Sequence, residues 1–236
     1  MLEELKEEVC AANLVLQQAG LVVLTWGNAS GIDRDQGLVA IKPSGVPYEE
    51  LTAAQIVLVD LEGNIVEGEL QPSSDTPSHL VLYQELQDIG GVAHTHSTYA
   101  AAWAQACRSI PCYGTTHADY FRGPVPVTRP LEPEMVQGSY ERETGWAIVR
   151  AVANKSRQEF PGILVAQHGP FTWGESASEA VRNSIILEQV ARMAALTEGL
   201  APTVGPISDE LRDKHFLRKH GPDAYYGQTN RPTEEQ

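Results

Sequence analysis

The stretch GGVAHTHSTYAAAWAQAC, Gly90 to Cys107, decides how the chain is read. Gly90-Gly91 stops whatever precedes it. VAHTH (92–96) is short and apolar and is expected as a strand. STYAAAWAQAC (97–107) is alanine-rich and is expected as a helix behind that strand. A strand running straight into a helix leaves its last residues at the rim of a sheet. Two of the seven histidines, His94 and His96, stand there one residue apart. On a strand, residues i and i+2 share a face. The pair therefore either shares one metal ion or divides into an exposed imidazole and one hydrogen-bonded in the core.

Outward from this stretch, strands and helices alternate. Residues 2–19 carry Leu2, Leu5, Val9, Ala12 and Leu16 at helical spacing, with Gly20 as a stop. VVLT (22–25) is a strand candidate, followed by glycine-rich turn chemistry and then LVAI (38–41). IVLVDL (56–61) and IVEG (65–68), split by Glu62, Gly63 and Asn64, form an expected hairpin. Thr76-Pro77 starts a helix, with Thr as N-cap and Pro at the first helical position, running to about Ile89. Pro124 to Thr128 is expected as extended, 143–154 as helix and GILVAQHG (162–169) as strand. Ser176 and Glu179 form a capping box for a helix to about Glu198, and a charged helix covers roughly 208–219. The pattern predicts one α/β domain, a sheet covered by helices, over residues 1–228, with a polar tail at 229–236 expected to be disordered.

Composition narrows the function. The net charge of −14, with no basic patch, argues against nucleic-acid and anionic-membrane partners. The three cysteines form no C-x-x-C pair, so neither a disulfide framework nor a thiolate zinc site is expected. MLEELKEEV has no apolar signal segment, and a reducing, cytoplasmic setting is expected.

Other residues join the histidine pair. His168 ends ILVAQH, a second expected strand, and can meet His94 and His96 at the sheet rim. Catalytic zinc sites use three protein ligands, sometimes with a further carboxylate. Asp75 in PSSDTP is the carboxylate candidate, with helix capping as its alternative role. IKPSGV (41–46), TWGNAS (25–30) and QPSSD (71–75) offer Lys42, Asn28, Ser73, Ser74 and glycine-exposed backbone donors suited to an anion. Asp119 and the pair Tyr225-Tyr226 are candidates for proton transfer, though the residues alone favour a turn aspartate and a packed tyrosine pair.

TWGNAS, IKPSGV, PSSDTPSH, HTHS, GTTHADYF, HGPFTWG and DKHFLRKHG with AYYGQ occur in this order over residues 20–228. In this set the chain resembles the class II aldolase/epimerase superfamily, on its epimerase side. The resemblance implies a central, mainly antiparallel sheet with helices on both sides, in a homotetramer of C4 symmetry with active sites at subunit interfaces. It implies Zn²⁺, or another divalent ion such as Mn²⁺, held by Asp75, His94, His96 and His168. It implies a small sugar-phosphate substrate held by Gly27, Asn28, Ser44, Gly45, Ser73 and Ser74, with Lys42 on the phosphate side. Asp119 and Tyr226 match the acid/base pair, Tyr226 coming from a neighbouring subunit, and Thr115, Glu141 and His215 match supporting residues. The implied reaction inverts C4 of a ketopentose phosphate by retro-aldol cleavage and re-addition. The aldolases of the superfamily carry glutamate at the position of Asp75. A zinc sugar-phosphate aldolase is the alternative.

Overall fold

The computed structural model describes residues 2–225. In chain order the first elements are α1 (Glu3–Gln18), β1 (Asn28–Asp33), β2 (Leu38–Ile41), β3 (Val57–Asp60), β4 (Ile65–Glu67), α2 (Thr76–Glu85) and β5 (Gly91–His94). Then follow α3 (Thr98–Gln105), α4 (Thr115–Ala118), α5 (Pro133–Gln137), α6 (Tyr140–Val152), β6 (Gly162–Leu164), β7 (Pro170–Gly174), α7 (Ala177–Leu200) and α8 (Asp209–His220). The strands form one sheet in the order β4-β3-β2-β1-β5-β7-β6, and every neighbouring pair is antiparallel.

Alternation along the strands puts a buried apolar cluster on each face of the sheet, and a third joins β6 to α3 and α7. Val39, Val57, Val59, Val92, Phe171 and Trp173 face α2 and α6, meeting Leu80, Leu82, Tyr83, Ile148 and Val152. Ala29, Ala40, Leu58 and Ala93 face α1 and α7, meeting Val9, Leu16, Ala177 and Val181. The expected architecture, an antiparallel sheet covered by helices on both sides, is the one observed. With both faces covered, LVAI and VLVD bury nearly every residue, which is why they read as continuous apolar runs.

Three local expectations are corrected. VVLT is not a strand: Val23 and Leu24 are exposed in a turn, with Leu24 at φ 54°. The strand begins later, in NASGID, whose small residues look like turn formers but fit between β2 and β5 beneath α1. The second helix has Asp75, not Thr76, at its N-cap and ends at Glu85. Arg34 Nη2 donates to the carbonyls of Leu86 and Ile89, both at 2.8 Å, while those two side chains enter the core. GILVAQHG is strand only to Leu164, then turns, and HGPFTWG supplies the unforeseen β7. Pro124–Thr128 is extended, as expected, and forms isolated bridges, Ile110 with Val125 and Val127 with Leu164. Ser176 Oγ does accept the backbone N–H of Glu179, as its capping box predicts. Among the described residues no helix is long and apolar enough to cross a membrane.

Candidate metal centre and its cavity

Three imidazoles converge at one end of the sheet. Strand β5 lies between β1 and β7, and Asn28, His94 and Phe171 are partners in one row across the three strands. His96 lies just past the end of β5, and His168 sits in the β6–β7 turn rather than on a strand. That turn is tight: His168 N–H donates to the Val165 carbonyl at 3.0 Å, and Val165 N–H to the Gly169 carbonyl at 2.9 Å. Gly169 lets it close, because a Cβ there would stand 2.6 Å from the Thr95 carbonyl oxygen.

The ligating nitrogens of His94, His96 and His168 all lie within 4.8 Å of one another. His94 Nε2 and His96 Nε2 are 3.1 Å apart. His94 is buried, with Nδ1 3.0 Å from the Pro170 carbonyl and its ring stacked on Phe171 at 4.2 Å. Only Nδ1–H can donate to that carbonyl, so the lone pair of a neutral His94 is on Nε2, facing the other two rings. His168 Nδ1 is 3.2 Å from the Tyr140 hydroxyl. His168 is pushed down to about 3, by burial first and by His94 and His96 next. His96 is lowered by burial and by His94. Three imidazoles that converge in this way form, when neutral, a donor set suited to a divalent ion.

Asp75 stands beside the triad without belonging to its tightest grouping. It makes no side-chain cap bond to α2, so capping does not account for it. Its Oδ2 accepts from Asn28 Nδ2 at 2.7 Å. Burial works against its ionisation, but His94, His79 and the Asn28 hydrogen bond outweigh it, and the carboxyl lies below the usual range.

The loops read separately in the sequence line one cavity of about 430 Å³, with Gly27, Asn28, Lys42, Ser44, Gly45, Ser73, Ser74, Asp75 and His96 in its wall. Backbone bonds zip two of them together: Ser44 N–H to the Gln71 carbonyl at 2.9 Å and Ser73 N–H to the Lys42 carbonyl at 3.0 Å. The N–H groups of Gly45 and Ser74 make no hydrogen bond among the described residues. Together with the hydroxyls of Ser44 and Ser74 they give the cavity mouth anion-binding donors. Gly27 is at φ +82°, and a Cβ on it would stand 2.8 Å from the His94 carbonyl oxygen, so the loop crosses β5 only as glycine. Lys42 is buried, donates to the Val46 carbonyl at 2.7 Å and lies over the Tyr48 ring; burial lowers it to about 8.

Of the remaining site expectations, Asp119, Thr115, Glu141 and His215 do not line this cavity, and Asp119 and His215 meet each other. Asp119 ends α4 and is gripped by α8: Arg218 Nη2 at 2.8 Å from Oδ2, Arg218 Nε at 3.1 Å and His215 Nδ1 at 3.0 Å from Oδ1. Burial raises its carboxyl pKa, but Arg218 and His215 outweigh that and hold it below the usual range. Thr115 opens α4 and lines a separate cavity of about 250 Å³. Between Thr115 and Asp119, the buried His117 donates from Nε2 to the Gly123 carbonyl at 2.8 Å. Glu141 lies in the first turn of α6, its carbonyl bonded by Ser78 Oγ. Tyr226 lies outside the described residues. Sequence reasoning missed Tyr140, Phe171 and the Pro170 carbonyl as supports of the triad. No local pattern marks Tyr140, and the other two belong to the strand that went unread.

The fold is an antiparallel sheet covered by helices, with three histidines that could hold a metal ion at one end and a cavity beside them. Residues 7–195 match the model of the class II aldolase and adducin N-terminal domain family, and the chain belongs to that family. Among its relatives is L-ribulose-5-phosphate 4-epimerase UlaF of Salmonella paratyphi B, 54% identical over 96% of this chain and 100% of that protein. Among solved structures, an L-fuculose 1-phosphate aldolase superposes with a TM-score of 0.77 at 26% identity, over 92% of this chain and 96% of that one. An L-fuculose-1-phosphate aldolase from Thermus thermophilus, at 24% identity and a TM-score of 0.64 over 86% of this chain and 98% of that one, shares the fold.

Proposed function

We propose that this chain is a sugar-phosphate 4-epimerase that interconverts L-ribulose 5-phosphate and D-xylulose 5-phosphate. The observation that carries this reading is the single cavity in which Asp75 and His96 meet Asn28, Ser44, Gly45, Ser73 and Ser74. It brings two residues of the candidate metal centre and the candidate anion-binding loops into one wall. The 54% identity to an L-ribulose-5-phosphate 4-epimerase, against 26% to an aldolase structure, supports epimerisation over aldehyde release. So does aspartate at position 75, where the aldolases carry glutamate.

Carbon C4 bears no acidic hydrogen, so inversion proceeds by breaking and remaking the C3–C4 bond. A base takes the C4 hydroxyl proton, the bond opens to an enediolate and glycolaldehyde phosphate, and the aldehyde turns and re-adds on its other face. A divalent ion at His94, His96, His168 and Asp75, zinc in this proposal or another such as manganese, supplies Lewis-acid stabilisation of the negative charge. The Gly45 and Ser74 N–H groups and the Ser44 and Ser74 hydroxyls hold the phosphate, so the aldehyde rotates without leaving. Gly27, Asn28 and Ser73 shape the wall beside it, and Lys42 adds positive charge beneath it.

Asp119 and Tyr226 are assigned the two proton transfers, one for each face, each typically worth ~10²–10⁴-fold. Thr115, Glu141 and His215 support them, His215 through its hydrogen bond to Asp119. In this proposal the chain is a C4 homotetramer with active sites at subunit interfaces, and Tyr226 comes from a neighbouring subunit. Val23, Leu24 and Trp26, at 58%, 75% and 54% exposure beside the cavity, supply an apolar surface for that contact. A cytoplasmic setting completes the proposal.

The decisive test is incubation with L-ribulose 5-phosphate. D-xylulose 5-phosphate should form, and a chelator should stop it. Dihydroxyacetone and glycolaldehyde phosphate accumulating free in solution would instead establish an aldolase.

A further inference from the structure

Beneath the triad lies a line of buried polar side chains for which the proposed reaction has no task. His79 is fully buried on α2, one helical turn after Asp75. Its Nδ1 is 2.7 Å from Ser30 Oγ, and Ser30 Oγ is 2.8 Å from the Tyr83 hydroxyl. Ser30 Oγ is the only hydrogen-bond acceptor for the Tyr83 O–H among the described residues.

The direction of this chain follows from satisfying both hydroxyls. If Tyr83 donates to Ser30 and Ser30 donates to Nδ1, each hydroxyl hydrogen has an acceptor. The reverse direction strands the Tyr83 hydrogen in the core. With Nδ1 as acceptor, a neutral imidazole carries its proton on Nε2. That Nε2 is buried with no hydrogen-bond partner. The fold thus holds a fixed donor without an acceptor, although leaving one unpaired is costly.

The surroundings indicate what the donor is kept for. The ring of His79 meets the edge of Phe171 at 6.0 Å, and Phe171 stacks on His94. The charge of Asp75 reaches His79, as does His94. Asn28 Nδ2 already holds one oxygen of Asp75, and Asn28 Oδ1 is a second buried atom without a partner. Two unsatisfied polar atoms therefore accompany one carboxylate.

We propose that His79 is a positioning residue whose Nε2–H is reserved for the Asp75 carboxylate and orients it toward a divalent ion held by the three imidazoles. The role rests on the reading of Asp75 as a ligand. Tyr83 and Ser30 act behind His79, fixing its tautomer, and outer partners of this kind tune metal affinity.

The test is Co²⁺ binding to the metal-depleted full-length chain, read by chelator competition and by the visible spectrum of the ion. His79→Phe keeps an aromatic ring against Phe171 and removes both nitrogens. It should weaken Co²⁺ binding roughly 10–100-fold and shift the spectrum. In an Asp75→Asn background the same substitution should change affinity less than about twofold, because its target is gone. Ser30→Ala, a smaller change that should fold even if His79→Phe does not, should weaken binding severalfold. Unchanged affinity and spectrum in both variants would overturn the proposal while leaving Asp75 as a ligand, provided Asp75→Asn alone weakens binding. Unchanged affinity in Asp75→Asn would overturn the ligand reading and the proposal together. An equal His79→Phe effect in both backgrounds would show that His79 acts on general packing and would also overturn it.

Discussion

His117 gives the structure a measurable sensitivity to acid. Its ring is 4% exposed, lies against Phe121 and donates from Nε2 to the Gly123 carbonyl. Burial dominates and lowers it from 6.5 to about 4, against the smaller opposing effect of the Gly123 bond. A base whose folded pKa is depressed stabilises the fold fully above its unfolded pKa. That contribution is lost as pH falls from about 6.5 toward about 4. Near pH 5 the loss from His117 alone is about 2 kcal/mol, a large part of the about 5–15 kcal/mol that holds a typical domain together. The assay is urea unfolding at one protein concentration between pH 7.5 and pH 5, on the parent and on His117→Gln, whose amide can still donate to Gly123. The parent should lose about 2 kcal/mol more than the variant over this range. His79, lowered to about 3 mainly by burial, adds to the acid loss of both proteins and cancels in their difference. Parallel pH curves for the two proteins would refute a neutral, desolvated His117.

Three further outcomes are expected. Replacing His94 and His96 together with asparagine should abolish both bound metal and epimerisation, measured by elemental analysis and product formation; full activity without metal would end the proposed mechanism. Tyr140→Phe, which removes the hydroxyl 3.2 Å from His168 Nδ1, should weaken metal binding roughly 10–100-fold in a chelator titration. Ser74→Ala should raise KM for the phosphorylated substrate about tenfold or more and leave metal content unchanged, since a hydrogen bond to a charged group is worth about 1.5–3 kcal/mol; an unchanged KM would remove Ser74 from the phosphate site.

The fold was most legible where hydrophobic pattern and backbone agreed. LVAI and the IVLVDL–IVEG hairpin contain strands because covered strands need continuous apolar residues. NASGID hid a strand because its place beneath α1 selects small side chains, which elsewhere mark turns. HGPFTWG hid another because His-Gly-Pro signals a stop, and here that stop is the turn of a hairpin. Of the candidate site, the three histidines and the three loops were legible as types, and only the tertiary structure shows that the loops share one wall. The period-two argument for His94 and His96 reached the right neighbourhood by an incomplete route, since His96 lies beyond the strand, in the short segment that leads into α3. Tyr140 was illegible because its distance to His168 depends on how α6 packs, and no local pattern encodes that.

The position of His168 in the β6–β7 turn also governs when the centre can first exist. Ribosomes release Asp75, His94 and His96 long before His168, and β7 must then insert beside β5 to bring the third imidazole to the other two. Until that late, non-local pairing forms, the growing chain would offer an ion only Asp75 and the two histidines of the proposed ligand set. On the proposed ligand set, the order of synthesis would postpone full-strength metal loading until β7 has joined the sheet.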